Sequence, residues 1–343
     1  MATPRHRTRS ADDVGVPPGR PGRGVARVPP HAWFVVSAVF HYLGPAFAVL
    51  LFARVDVLGV AWLRIASAAL VLALWRRPWR VWGTLDRGTR RLLLGWGAVL
   101  AVMNSCFYLA IDRLPLGTVA AIEFVPVVAL AALAVRGVRN AAALGAAVAG
   151  VWLLTDVHLV AEPVGVAFAV VNALLFAGYV VLAHRVASSG QVPGLDGLAL
   201  SMVIASVVAL PVGLWQAAPA FLDPVALAAG IGVGIASSVI PYVCDQLAMA
   251  RLSRATYALM VSLLPATATV VGVVVLTQVP STLEVLGVAL VVAGVALHRS
   301  AGPPRSAGGP APGPRPGGGA VGLGGDGRGH RRDGERHRAP RRA

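Results

Sequence analysis

The chain has 343 residues, of which 56% are hydrophobic and only 13% charged, against about 25% charged in a soluble globular domain. With a mean hydropathy of +0.71 it is too apolar for water, and its long, unalternating apolar runs point to helices rather than a membrane β-barrel. The net charge of +15 is carried by arginine without a single lysine; it gathers in the tails and in selected short connections, which orients a membrane protein and excludes nucleic acid as the partner.

Residues 1–31 are rich in Arg, Pro and Gly and show no apolar periodicity. A signal peptide would lead directly into a short apolar stretch and a small-residue cleavage site; this tail reads instead as a disordered cytoplasmic arm or an upstream start. The first apolar run, Ala32–Phe52, is long enough to span a bilayer at about 20 residues. Further runs follow at Val57–Trp75, Leu92–Ile111, Gly117–Val135, Ala141–Thr155, Val164–His184, Gly197–Gln216, Val225–Leu247, Ala255–Thr277 and Leu283–Leu297, about ten spans in all. Arg76, Arg77, Arg80, Arg87, Arg90 and Arg91 crowd the second connection, Arg136 and Arg139 the fourth, Arg185 the sixth, and Arg251 and Arg254 the eighth. The odd connections carry Arg54 balanced by Asp56, Arg113 balanced by Asp112, and the acids Asp156, Glu162, Asp223 and Glu284. Every arginine-rich connection therefore falls on the side of both termini, the positive-inside pattern for cytoplasmic ends. Beyond His298 the chain is mostly Gly, Pro and Arg, with too little apolar surface to fold, and reads as disordered.

The stretch Tyr108–Pro126, YLAIDRLPLGTVAAIEFVP, returns as Gln246–Pro265, QLAMARLSRATYALMVSLLP. Leu109, Ala110, Arg113, Leu114 and Thr118 are echoed by Leu247, Ala248, Arg251, Leu252 and Thr256 at one constant offset. Leu144-Gly145 and Ala149-Gly150-Val151 are likewise echoed by Leu286-Gly287 and Ala293-Gly294-Val295, small residues that let helices approach closely in lipid. With five spans per copy, the two copies begin on opposite sides of the membrane. The fold class is therefore all-α integral membrane, with about ten transmembrane helices as two inverted five-helix repeats and both termini cytoplasmic. The organisation is a tail (1–31), a first repeat (32–155), a second repeat (156–299) and a basic tail (300–343).

The segments LRIASAALVLALWRRPWR (63–80), MNSCFYLAIDRLPLGTVAAIEF (103–124), IPYVCDQLAMARL (240–252) and MVSLLP (260–265) carry a resemblance. Over roughly residues 32–299 the chain is similar to the drug/metabolite transporter superfamily with two EamA-type repeats, and within it to the bacterial threonine/homoserine exporter group. The resemblance implies a plasma-membrane secondary transporter exporting amino acids or related small metabolites. Four positions depart from that group's pattern. Leu264 stands where a Glu often precedes the second proline, Thr277-Gln278 replaces a Gly-Glu, Val49 a Lys and Tyr42 a Gln.

Ionisable side chains inside a span face the bundle interior or water and are functional candidates by default. Glu123 lies about two turns into the fourth span, and Pro126 removes the backbone bond to the Ile122 carbonyl, so carboxyl and freed backbone meet at one level. Glu123 is either a proton-coupling group or the ion-pair partner of Arg64. Arg64, in turn, either binds a substrate carboxylate bidentately or only neutralises Glu123. Asp245, after an expected kink at Pro241, lines the cytoplasmic mouth or is interfacial. His41, Tyr42, Asn104, Tyr108, Asn172, Tyr179 and Tyr242 are interior polar groups that either line a cavity for a small zwitterion or hydrogen-bond between helices. Pro126, Pro241 and Pro265 are the expected helix kinks. Cys106 and Cys244 occupy equivalent repeat positions and are either small core residues or face each other across the pseudo-two-fold axis.

No HExxH, GxSxG, GxxxxGK[ST] or clustered His/Asp motif occurs, so enzyme and ATP-driven readings have no machinery, and no cofactor or metal is implied. The expected partners are a small-molecule substrate, protons as coupling ion and the bilayer, with a homodimer left open. The rival readings are a transporter of a drug cation, nucleoside, nucleotide sugar or lipid on the same fold, or a non-transporting scaffold.

Overall fold

The structure, a computed structural model, describes residues 28–134, 137–159, 161–249, 251–252, 257 and 260–297. The expectations for both tails and for Arg136 and Arg254, and those resting on the Asp156 side chain, lie outside the described residues. Among the described residues, six helical runs are long and apolar enough to cross a bilayer. They are α1 (Pro30–Leu51), α2 (Val57–Arg76), α4 (Arg87–Ile111), α7 (Pro163–Ser188), α8 (Gly194–Ala217), and a run from α9 (Pro224–Gly234) through a π-turn (Ile235–Val239) into α10 (Ile240–Met249). Four further apolar helices are α5 (Leu116–Ala134), α6 (Val138–Leu159), α11 (Leu264–Leu276) and α12 (Thr282–Leu297), and a single turn, α3 (Trp79–Trp82), lies in the second connection. The chain is an all-α, multi-pass membrane protein.

The helix ends follow local chemistry. Asp86 caps α4, its carboxylate accepting from the Thr89 amide at 2.6 Å, and Asp223 caps α9 by accepting from Val225 and Ala226, the role short acids play at a helix start. Both lie outside the spans, and these amide donors hold their carboxyls below the ordinary aspartate value. Arg77, at φ 51°, ends α2 in the left-handed conformation just before Pro78, a common helix stop. Ser281 and Glu284 form a reciprocal capping box at the start of α12.

The ninth apolar run is not one helix. A turn at Ser262–Leu263 interrupts it, and Pro265 falls in the first turn of α11. There its missing N–H costs nothing, so the kink expected at Pro265 is instead a helix start. Pro126 lies inside α5, which continues through it.

In packing, α2 lies against α8, α4 against α7, α1 against α10, α5 against α11, and α6 against α12. The last pair is held together by small residues. A side chain added at Gly150 would meet the Gly287 carbonyl, and one at Gly294 the Ala143 carbonyl and Ala147. Contacts between connections define two ends of the bundle. At one end Arg76 pairs with Asp196 at 2.8 Å, Gln191 bonds Asp86, Arg139 donates to the Leu297 carbonyl and Arg251 to the Val28 carbonyl. At the other, Arg54 pairs with Asp223 at 3.0 Å, and the side-chain oxygens of Gln216 and Gln278 accept from the Leu58 and Leu116 amides at the starts of α2 and α5. Arg113 lies at this second end and Arg251 at the first. The outward faces stay apolar, with Leu70, Leu74, Trp152 and Val207 exposed, as lipid-facing surfaces are.

Candidate functional site

Between the helices lies a cavity of about 520 Å³, inside the roughly 300–1,000 Å³ of small-molecule sites. It begins at the arginine-rich end, where Gly194 and Leu195 open α8 and Ala183 nears the end of α7, and runs inward to His41, Arg64, Asn104, Glu123 and Asn172. It goes no further. Beyond that level Val55, Val60, Leu114, Leu116, Val119, Val166, Ala169 and Ala217 belong to one packed apolar cluster that closes the other end.

At the deep end the two charged groups are held by amides and not by each other. Arg64 Nη1 donates to Asn104 Oδ1 at 2.5 Å, its guanidinium stands 5.5 Å from the centre of the Tyr108 ring, and Asn104 is itself anchored to the Leu100 carbonyl. Asn172, fully buried, donates to Glu123 Oε1 at 3.2 Å. Among the described residues no ion pair within 4 Å joins Arg64 to an acid, so the expected alternative of a structural Arg64–Glu123 bridge is not formed. The donor Arg64 Nε and the acceptor Asn172 Oδ1 are buried without a partner, as are the Tyr42 and Tyr108 hydroxyls behind them. Such atoms carry an uncompensated desolvation cost that a suitable ligand removes.

The side nearer the mouth is aromatic. Tyr179 stacks on Phe176 and leans against Trp96, Phe124 meets Phe176 edge-on, and the hydroxyls of Tyr179 and Tyr242 are 3.0 Å apart. Asp245 lines the same region with Tyr257.

Eight of the ten residues singled out from the sequence therefore line one cavity: His41, Arg64, Asn104, Glu123, Asn172, Tyr179, Tyr242 and Asp245. Tyr42 and Tyr108 do not line it; both are buried in the apolar cluster, Tyr42 beside His41 and Tyr108 beneath Arg64. Cys106 and Cys244 are buried free thiols. Sequence reasoning missed Ser237 and Ser238, which line the cavity from the π-turn. Pro241 cannot donate to the carbonyl of Ser237 and crowds it, and the helix answers by widening, a feature common at functional sites. The signal was present: a Ser-Ser pair just before a proline inside an apolar run.

Residues 163–299 match the EamA-like transporter family. The chain is 31% identical over 254 residues to the threonine/homoserine exporter RhtA of Escherichia coli (strain K12), an alignment covering 73% of this chain and 84% of that protein. It is 30% identical over 255 residues to the exporter of the same name from Salmonella typhimurium (strain SL1344), with the same coverage.

Proposed function

Because the chain belongs to the EamA-like transporter family of the drug/metabolite transporter superfamily, a secondary transporter of small metabolites in the bacterial plasma membrane, we propose that it exports amino acids or related metabolites by proton-coupled alternating access. The observation that carries this reading is the deep end of the cavity. A guanidinium and a carboxyl face one space, each braced by an asparagine, with a free donor on one and a free acceptor beside the other. An α-amino acid presents the complementary pair: its carboxylate takes Arg64 Nε and Nη, and its ammonium takes Glu123 and Asn172 Oδ1. A charge in a span costs at least about 2.5–3.5 kcal/mol on insertion scales, so an Arg64 without an acid partner is better explained by a ligand than by packing.

Glu123 is the proton site on this reading. Substrate ammonium and proton compete for one carboxyl, which couples their movements in opposite directions. The two inverted repeats, 32–155 and 156–299, are the moving bodies, the arginine-rich end is cytoplasmic, and the cavity is in its inward-open state. Two features support the repeat. The pairing of α4 with α7 mirrors that of α10 with α1, and the pairs α2–α8, α5–α11 and α6–α12 join equivalent spans. The offset that relates Arg113 to Arg251 also relates cavity-lining residues to one another: Leu100 to Ser238, Met103 to Pro241, Asn104 to Tyr242, Phe107 to Asp245, and Glu123 to Val261. A nucleotide-sugar substrate is disfavoured, since Arg64 and His41 are the basic residues among the cavity's described lining and a diphosphate calls for more.

The test is efflux of a labelled amino-acid panel from proteoliposomes loaded with substrate. Efflux above protein-free controls that disappears in Arg64→Ala supports the reading. No amino acid moving, with the protein inserted and monodisperse, overturns it.

A further inference from the structure

The deep end accounts for an α-carboxylate and an α-ammonium, but it leaves one carboxylate unused. Asp245 lines the cavity, has no ion-pair partner among the described residues, and carries a buried Oδ1 with no hydrogen-bond partner. The hydroxyls of Ser37 and Tyr257 face it. Around it stand aromatic side chains out of proportion to their number in the chain. The sequence contains five tyrosines; Tyr179, Tyr242 and Tyr257 all line this part of the cavity, with Trp96 against Tyr179. A carboxylate among aromatic faces is the chemistry that recognises an organic cation, by charge and by the attraction of ammonium to π-faces.

The spacing excludes the substrate's own α-ammonium as that cation. Arg64 stands over the Tyr108 ring and its backbone meets Gly234, one turn before Ser237, and Asp245 lies two to three turns of helix, roughly 12–16 Å, further toward the mouth. An α-ammonium sits within about 3 Å of its carboxylate and cannot reach both poles. An extended amino acid with a four-carbon stem measures roughly 7 Å from carboxylate to terminal nitrogen. A hydrogen bond of about 3 Å at each end extends that to roughly 13 Å, within this range.

We infer that the cavity is a two-pole site for an amino acid whose side chain ends in a cation, of the lysine type. Arg64 holds the α-carboxylate, Glu123 and Asn172 the α-ammonium, and Asp245 the distal ammonium within the Tyr179, Tyr242, Tyr257 and Trp96 faces. The ligand's three charges meet a donor at Arg64 Nε and acceptors at Asn172 Oδ1 and Asp245 Oδ1, each without a partner in the protein. A small hydroxylated amino acid fills only the deep end. This inference rests on the proposed amino-acid substrate and names its class.

The test compares efflux of lysine, norleucine and threonine from proteoliposomes containing the full chain. Norleucine keeps the stem and lacks the distal ammonium. Lysine is expected to leave faster than norleucine by about tenfold or more, a conservative figure for a desolvated charge pair. Asp245→Asn should bring that ratio close to one, while Asp245→Glu retains most of the preference. A wild-type protein that moves norleucine or threonine as fast as lysine overturns this inference and leaves amino-acid export standing, as does a ratio that survives Asp245→Asn. A protein that moves none of the three, nor any other amino acid, overturns both.

Discussion

Glu123→Gln separates coupling from folding. The substitution is nearly isosteric, and the new amide oxygen can accept the same 3.2 Å bond that Asn172 Nδ2 gives Glu123 Oε1. Asn104 and Arg64 are untouched, because their bond does not pass through Glu123. Stability should thus stay within about 1 kcal/mol of the parent. Coupling should not survive. On the proposed mechanism one carboxyl at the deep end exchanges one proton per substrate, and a gradient of one pH unit is worth about 1.36 kcal/mol per proton, or a tenfold concentration ratio. In inside-out vesicles with the membrane potential collapsed and an interior one unit more acidic than the medium, the parent should therefore accumulate substrate about tenfold. The variant should bring the inside and outside concentrations level, while still exchanging labelled for unlabelled substrate. Accumulation by Glu123→Gln at the parent's ratio would refute the reasoning and make the carboxyl structural.

Arg64→Lys keeps the charge but loses the planar fork and its unfilled Nε donor. KM should rise by about tenfold in a concentration series of initial efflux rates, with the protein still folded. Gly294→Leu drives a side chain into the Ala143 carbonyl and Ala147; it should destabilise the detergent-solubilised protein by at least about 1–3 kcal/mol in thermal unfolding. Gly145→Leu, on α6 with nothing near its added Cβ, should change stability by less than about 0.5 kcal/mol. Asp86 has a depressed folded-state value owing to the Thr89 amide and Gln191, so its cap stabilises above the ordinary aspartate value and the benefit is lost as pH falls through the depressed one. Asp86→Ala should accordingly melt earlier than the parent at pH 7, and the gap should close in the acid range below about pH 4.

The six long spans were legible because each is a local property. Bilayer thickness sets the length of an apolar run, so α2 begins at Val57 and α7 begins within one residue of where their runs do. Small-residue echoes were legible too, but only as opportunities. Gly150, Gly287 and Gly294 meet a neighbouring helix while Gly145 does not, a difference that depends on which face α12 covers. What a sequence withholds is the partner. Glu123 and Arg64 carry opposite charge and read as a pair, yet each found an asparagine on a different helix. The Gln278 side chain reads as a polar span end, yet it caps α5 from across the bundle. The break at Ser262–Leu263 was hidden for a different reason. Pro265 announced a disturbance, and proline is as compatible with a kink inside a helix as with the first turn of a new one.

The repeat and the charges give different accounts of the site, and the difference has a consequence. At the offset that relates Arg113 to Arg251, Glu123 corresponds to Val261 and Phe107 to Asp245, and all four line the cavity. On the proposed inverted architecture, the mouth that opens outward is built from the mates of those that open inward. The position that Asp245 fills at the cytoplasmic mouth is filled at the outer one by Phe107. A cationic side chain thus has a carboxylate at its entry and an apolar ring at its exit, so affinity should be higher facing the cytoplasm than facing out. That asymmetry cannot set the direction of net flux, which belongs to the gradients. It suits an exporter that must collect substrate at cytoplasmic concentrations and let it go outside.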